Sequence, residues 1–291
     1  MVQENKMGTM PVNKLLISMS LPMIISMLVQ AMYNVVDSVF VAQISENALT
    51  AVSLAFPLQN LMIAFAGGTA VGVNALLSRS LGEKNQEHVN HTATNSVFIF
   101  LMTALIFMIG GLTLSHLFFT VQTSNAEIVT AGTQYSMIVV GCSIGLFSQF
   151  LFERLLQATG RTIHTMITQG LGAIINIILD PVFIFVFNMG VQGAALATVL
   201  SQAVGAVWIL HFLTGDKTIL RLRKCNLKLK STIIMPCLAL GISSFVMLST
   251  ESILSVSFTS SLSRYGGDLA VGAMTIITST NQLVLMPLQG I

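Results

Sequence analysis

The chain has 291 residues, of which 54% are hydrophobic and 8% are charged, and its net charge is +2. Soluble domains carry about 25% charged residues, so this composition excludes an ordinary soluble protein and indicates a membrane protein. The small net charge gives no support for nucleic-acid binding. The three cysteines have neither the spacing of a zinc site nor the density of a disulfide scaffold.

Eight apolar stretches are long enough to cross a bilayer, which requires about 20 helical residues. They cover residues 15–43, 49–78, 93–119, 127–152, 163–187, 191–213, 232–262 and 270–291. The first stretch exceeds the apolar core of a signal peptide, about 7–15 residues, so it is predicted to remain in the protein. The stretches lack the alternation of a transmembrane β-barrel. The predicted fold class is therefore an all-α polytopic membrane protein.

Basic residues predict the orientation of these spans. Of the 13 lysines and arginines, all but Arg264 fall before the first span or in every second loop after it. Because cytoplasmic loops carry the excess of basic residues, the N-terminus is predicted to be cytoplasmic.

One basic, linker-like segment divides the chain. It predicts a six-helix N-terminal lobe over 1–214, a cytoplasmic linker over 215–231, and the first two helices of a second lobe over 232–291. Both lobes would begin on the cytoplasmic side, which predicts a parallel repeat about an axis along the membrane normal. A complete second lobe would need about four more helices, so we expect this chain to be truncated.

Three carboxylates lie inside apolar stretches: Asp37, Asp180 and Glu251. A charge in the hydrocarbon core costs about 3 kcal/mol by insertion scales. Each residue alone could be a partnered helix contact. Three in a chain with so few other charges favour an ion-coupled or solute-conducting path.

Asp37 and Asp180 occupy similar depths in the outer halves of the first and fifth spans, so they can share a site if these spans pack together. Other polar residues lie three or four positions apart on the same helices or on the sixth span, and such spacing puts them on one face. These residues are Gln30, Tyr33, Asn34, Asn176, Thr198 and Gln202. Polar groups in lipid need partners inside the bundle, which predicts one hydrated pocket.

Two carboxylates in such a pocket repel each other, and burial disfavours their charge. A proton or a sodium ion could neutralise the pair, and its exchange could be coupled to a conformational change. The alternative is a permanently protonated, structural pair. Pro181 follows Asp180 directly and predicts a kink, either moving or static.

Further positions carry weaker predictions. Gln59 is expected to face the cavity, and Glu251 is expected to serve the second lobe. Gly68 and Gly72 predict close helix packing. Glu153, at the cytoplasmic end of the fourth span, is expected to form an ion pair or to contact lipid headgroups.

Several segments resemble the multidrug and toxic compound extrusion (MATE) transporters. Asn176-Ile-Ile-Leu-Asp-Pro-Val-Phe-Ile-Phe185, followed by Met189–Thr198, is similar to that family's signature in helices 5 and 6. Pro22–Tyr33 with Val36-Asp37, and Leu81–Asn85, are similar as well. The turn Tyr265-Gly-Gly-Asp-Leu-Ala270 resembles the bacterial multidrug-export branch.

The resemblance implies a twelve-helix protein of two lobes, of which this chain matches roughly the first two-thirds. It implies a monomeric exporter, not an enzyme, in the bacterial plasma membrane. Such a protein exchanges cationic or amphipathic drug-like molecules for protons or sodium, with no other cofactor. By resemblance, Asp37, Asn176, Asp180 and Thr198 match a cation-coupling site, and Asp37, Asn176 and Asp180 would hold sodium. Gln30, Tyr33, Asn34, Gln59, Gln202 and Glu251 are the predicted substrate-cavity residues.

Two other functions remain open on the sequence. A flippase for lipid-linked oligosaccharides shares the lobe architecture, but its anionic substrates favour basic cavity residues. A membrane fragment without transport activity would need no coupling site.

Overall fold

A computed structural model describes residues 10–123, 125–215 and 231–251, and beyond these only 253, 254, 257, 258, 261 and 265. These residues are predominantly helical. The helices are α1 (Val12–Ala42), α2 (Glu46–Gly82), α3 (Gln86–Gln122), α4 (Ala126–Gly141), α5 (Ile144–Ala158), α6 (Thr162–Pro181), α7 (Val191–Thr214) and α8 (Ser231–Glu251).

The helices confirm the all-α membrane fold. Six of them are long and apolar enough to cross a membrane, and the α4–α5 pair adds a seventh span. Each lies where a span was predicted; the eighth predicted span, 270–291, and most of the predicted linker lie outside the described residues. The helices α2 and α3 have 37 residues each, about 55 Å, so they extend beyond a hydrocarbon core of about 30 Å.

The fourth span differs from the prediction of one helix over 127–152. It consists of α4 and α5, which are bent by 44° at Cys142-Ser143, and it continues to Ala158. The buried Ser143 hydroxyl donates a hydrogen bond to the Ala104 carbonyl of α3, at 3.0 Å. Hydropathy does not register such a bend, because both halves are equally apolar.

Polar side chains fix the starts of three helices. Ser45, Asn85 and Asn125 accept hydrogen bonds of 3.0 Å from backbone N–H groups in the first turns of α2, α3 and α4. These caps satisfy amides that have no partner within the helix. The short loops therefore place consecutive spans side by side and antiparallel.

Two apolar clusters form the core. One joins α2, α3, α5, α7 and α8 around Met62, Leu77, Phe147, Leu155 and Ile209. The other lies between α1, α2, α3, α4 and α7, and its buried residues include Val41, Val52, Phe119 and Ala194. The helix α1 packs chiefly against α6.

Close packing at Gly68 and Gly72 is confirmed, and the partner is α8. A Cβ atom at Gly68 would lie 2.8 Å from Cβ of Phe245 and 3.0 Å from the Gly241 carbonyl oxygen. A Cβ at Gly72 would overlap the carbonyl of Cys237. Small residues thus allow the backbones of α2 and α8 to touch.

The distortion predicted at Pro181 takes the form of a π-helical turn. The five residues Val182–Val186 continue from α6, and the Phe187 N–H donates to the Val182 carbonyl at 3.0 Å. A Cβ at Gly193 would lie 2.8 Å from the Phe183 carbonyl carbon, so α7 approaches this turn backbone to backbone. The turn begins two residues after Asp180, and π-helical turns are frequent at functional sites.

Candidate functional site

The structure brings Asp37 of α1 and Asp180 of α6 together. Their carboxyl groups lie close enough to interact electrostatically. Asp180 is 0% exposed and Asn176, one turn earlier, is 1% exposed. The Asn176 Nδ2 donates to Asp180 Oδ1 at 3.3 Å.

Three oxygen atoms of this group are buried without a hydrogen-bond donor: Asp37 Oδ1, Asn176 Oδ1 and Asp180 Oδ2. An unsatisfied buried acceptor costs about 1–3 kcal/mol, and more when it is charged. A proton or a small cation would satisfy such oxygens. We call Asp37, Asn176 and Asp180 the outer site.

The donor set of the outer site fits sodium. Carboxylate and amide oxygens suit hard cations rather than soft transition metals. Within the described ranges, no group of three or more His, Cys, Asp and Glu side chains could hold a metal ion.

Two tyrosines flank the outer site. The Gln59 Nε2 of α2 donates to the Tyr135 hydroxyl of α4 at 2.9 Å. In α1, the Gln30 side chain lies one turn before Tyr33 and interacts with its hydroxyl. Both phenols lie within electrostatic range of the two aspartates. The Tyr135 oxygen already accepts an amide N–H, so its own hydrogen is free for another acceptor. Side chains from four helices thus surround the outer site.

Other predicted site residues make different contacts. Asn34 is exposed and lines an open groove of about 370 Å³ with Val35, Ser38 and neighbouring apolar residues. Thr198 is partly buried, and its hydroxyl donates to the Ala194 carbonyl of its own helix at 3.1 Å.

Gln202 and Glu251 are also outside the outer site. Gln202 is partly buried, one turn before Gly205, where the Gln149 amide packs against α7. Glu251 is exposed at the end of α8.

The expectation of an ion pair or headgroup contact for Glu153 was wrong. Its side chain is buried, with 8% of the residue exposed. The Glu153 Oε1 accepts from Gln149 Nε2 at 2.9 Å, and Gln169 Nε2 donates to Oε1 at 2.9 Å and to Oε2 at 3.1 Å. Arg154 donates to Gln157 instead, at 2.8 Å. We call Glu153, Gln149 and Gln169 the inner site.

Sequence reasoning missed Glu153 and Tyr135. The four-residue spacing of Gln149 and Glu153 was the available signal, since it puts both on one face of α5. The hydroxyl of Tyr135 is an isolated polar group in an apolar stretch, and no pattern in the sequence predicts its contact with Gln59.

Comparisons with known proteins agree with this architecture. Over 254 residues the chain is 25% identical to multidrug export protein MepA of Staphylococcus haemolyticus, covering 87% of this chain and 56% of that protein. It is 26% identical over 242 residues to MepA of Staphylococcus aureus strain MRSA252, covering 81% and 53%. The chain therefore spans just over half the length of these curated relatives.

Solved structures share the fold over the whole chain. A crystal structure of MATE in complex with MaL6 superposes with a TM-score of 0.94 and 26% identity, covering 100% of this chain and 65% of that one. The outward-facing structure of a multidrug resistance MATE family transporter gives a TM-score of 0.88 and 27% identity, with 95% and 62% covered. The family model MatE matches residues 22–182, which is more than half of the chain. The chain is therefore a multi-pass membrane protein that belongs to the MatE family.

Proposed function

We propose that the chain is a cation-coupling lobe of a secondary active exporter, which exchanges cationic or amphipathic small molecules for protons or sodium. The observation that carries the proposal is the outer site, where Asp37, Asn176 and Asp180 leave three buried oxygens without donors. Intramembrane carboxyls typically mark ion pathways. The multidrug export proteins among the relatives support the choice of substrate class.

The coupling follows from electrostatics. When the outer site holds a cation or an additional proton, the repulsion between the carboxyls falls and their oxygens are satisfied. When that charge leaves, two adjacent carboxylates in a low-dielectric site repel each other. A ligand shifts a conformational equilibrium only by its different affinity for the two states. The two occupancies of the outer site would supply this difference.

The π-helical turn is the proposed moving part. It begins directly after Asp180-Pro181, and α7 contacts it through Gly193. A change in the position of Asp180 would therefore reach α7 through backbone contact. Asn34 and its groove on α1 would face the path of the exported molecule.

We also propose that the N-terminus lies on the cytoplasmic side of a bacterial plasma membrane. The distribution of basic residues supports this orientation, since all but one fall on the predicted cytoplasmic loops or the N-terminal segment.

Alternating access requires a second lobe, so the experiment compares two proteins in proteoliposomes. One is this chain, and the other is this chain extended by the C-terminal part of MepA. We expect a fluorescent organic cation to leave vesicles of the extended protein when a pH or sodium gradient is imposed, and to stay in vesicles of the chain alone. Movement of lipid-linked oligosaccharides without movement of the cation would overturn the proposal in favour of a flippase. A reconstituted extended protein that moves neither would overturn it as well.

A further inference from the structure

The inner site is a second buried carboxyl group that the proposed coupling does not use. Three N–H···O contacts of 2.9–3.1 Å hold Glu153, and all come from the neutral amides of Gln149 and Gln169. Neutral donors orient a carboxylate but leave its negative charge uncompensated. A buried charge of this kind is costly unless a proton or a cation compensates it.

Charged and titratable groups surround the inner site on several helices. Arg154 acts on Glu153 electrostatically from the same helix, although its guanidinium is directed to Gln157. Tyr33 of α1 lies within electrostatic range of Glu153 as well as of both aspartates. The amide of Gln149 packs against Gly205, so the contribution of α7 at this point is backbone.

On the other helices at this end of the bundle, three titratable side chains make contacts of their own. His164 of α6 stacks on Phe212, with ring centroids 4.1 Å apart, and His91 of α3 lies 3.7 Å from Glu87. On α2, Arg79 pairs with Glu83 at 2.9 Å.

The inner site is separate from the outer site. Gln169 and Asp180 are eleven residues apart on α6, and at 1.5 Å per residue this places the two sites about 16 Å apart along the helix. The electrostatic neighbours of Tyr33 include the acids of both sites. The two sites therefore occupy successive depths along α6, with Tyr33 within electrostatic range of both.

We infer that Glu153 is a second site that exchanges a proton. It lies about 16 Å from the outer site along α6. In the exchange, the carboxyl O–H bond of Glu153 breaks and the proton passes to water, and the reverse step restores it. No electron is transferred. The carboxylate form is held by the Gln149 and Gln169 amides, and the acid form removes the buried charge. The exchange of a proton at Glu153 does not depend on the proposed function. Only the role of that proton in transport rests on it.

Carbodiimide labelling of the purified chain tests the inference without a transport assay. Dicyclohexylcarbodiimide partitions into apolar environments and modifies protonated carboxyl groups, and peptide mass spectrometry assigns the modified residue. In a scan from pH 5 to 9, we expect labelling of Glu153 to fall as the pH rises, by about tenfold for each pH unit above its midpoint. Glu87, whose side chain is 81% exposed, should stay unlabelled and is the internal control.

A matched pair of variants tests the role of the amides. Gln169→Leu removes the donor that contacts both carboxylate oxygens, so labelling of Glu153 should persist to a pH about one unit higher. Gln122→Leu, at an exposed position on α3, should leave the labelling curve unchanged. Both variants keep Glu153 itself, so the curve can be compared directly.

Two results would overturn the inference. Glu153 that stays unlabelled from pH 5 to 9, while Asp180 reacts, would be a permanent carboxylate. Glu153 labelled equally at every pH would be a permanent, structural acid. Asp37 and Asp180 are read from the same digest. If they are insensitive to pH and sodium while Glu153 titrates, the proposed coupling fails and the inference stands.

Discussion

The outer and inner sites differ in how their buried carboxyl groups are hydrogen-bonded. In the outer site, Asp37 and Asp180 leave two oxygens without donors, and only Asn176 donates to the pair. In the inner site, both oxygens of Glu153 accept hydrogen bonds from amides. The outer site is therefore incomplete without a ligand, whereas the inner site is complete in its hydrogen bonds and lacks only compensation of charge. From this difference we expect the outer site to bind a cation or a proton and the inner site to exchange a proton.

The largest expected effect is the loss of coupled efflux in Asp37→Asn. The amide keeps the shape of the side chain and supplies N–H donors to Asp180, so the fold should persist. Because an asparagine at this position cannot ionise, the site can no longer alternate between the charge states that a pair of carboxyls provides. In the extended protein, gradient-driven efflux should fall to the background of empty vesicles. Glu46→Gln makes the same carboxyl-to-amide change at an exposed position of α2 and is the matched control. Efflux at the parental rate in Asp37→Asn would remove Asp37 from the mechanism.

The effect of sodium on the thermal stability of the protein should distinguish the two sites. A ligand that binds only the folded state stabilises it by about 2.7 kcal/mol at 100 times its Kd. We therefore expect sodium chloride, compared with choline chloride at equal ionic strength, to raise the thermal midpoint of the chain. Glu153→Gln should keep this increase and Asp180→Asn should lose it. An equal response in all three proteins would mean that sodium acts elsewhere, and would leave protons as the coupling ion of the outer site.

Apolar replacements should differ in size between the sites. Glu153→Leu leaves the amides of Gln149 and Gln169 without their acceptor, which should destabilise the fold by about 1–3 kcal/mol. Asp180→Leu leaves one weaker donor without its acceptor, the Asn176 amide at 3.3 Å, and it also removes an oxygen that has no donor. Its cost in sodium-free buffer should therefore be smaller than that of Glu153→Leu. Thermal unfolding in one detergent compares the two variants. A larger loss in Asp180→Leu than in Glu153→Leu would contradict the distinction between an incomplete and a complete site.

The same contrast shows how far the sequence could be interpreted. The spans, and the meeting of Asp37 with Asp180, were predictable because they depend on hydropathy, depth and four-residue spacing within single helices. Asn34 shares that spacing with Asp37, yet it is exposed, because contact with α6 selects which part of the polar stripe of α1 faces inward. Residue spacing alone predicts which face of a helix is buried only to within a quarter of a helical turn.

The inner site and the bend before it depend on contacts between helices. Glu153 is adjacent to Arg154 in sequence, which predicted an ion pair, but its partner Gln169 comes from α6. The bend at Ser143 depends on a carbonyl of α3. Neither partner can be chosen from local sequence, because several polar residues are equally available until the helices pack.

The smallest expected effects come from the two tyrosines, and they test whether the sites communicate. Each Tyr→Phe change removes one hydroxyl, at a cost of about 1 kcal/mol in stability. Tyr33 has Glu153 and both aspartates within electrostatic range, whereas the acids within range of Tyr135 are those of the outer site. Tyr33→Phe should therefore change the carbodiimide labelling curves of both Glu153 and Asp180, and Tyr135→Phe should change only that of Asp180. If Tyr33→Phe leaves the Glu153 curve in place, the two sites titrate independently and Tyr33 is not a functional link between them.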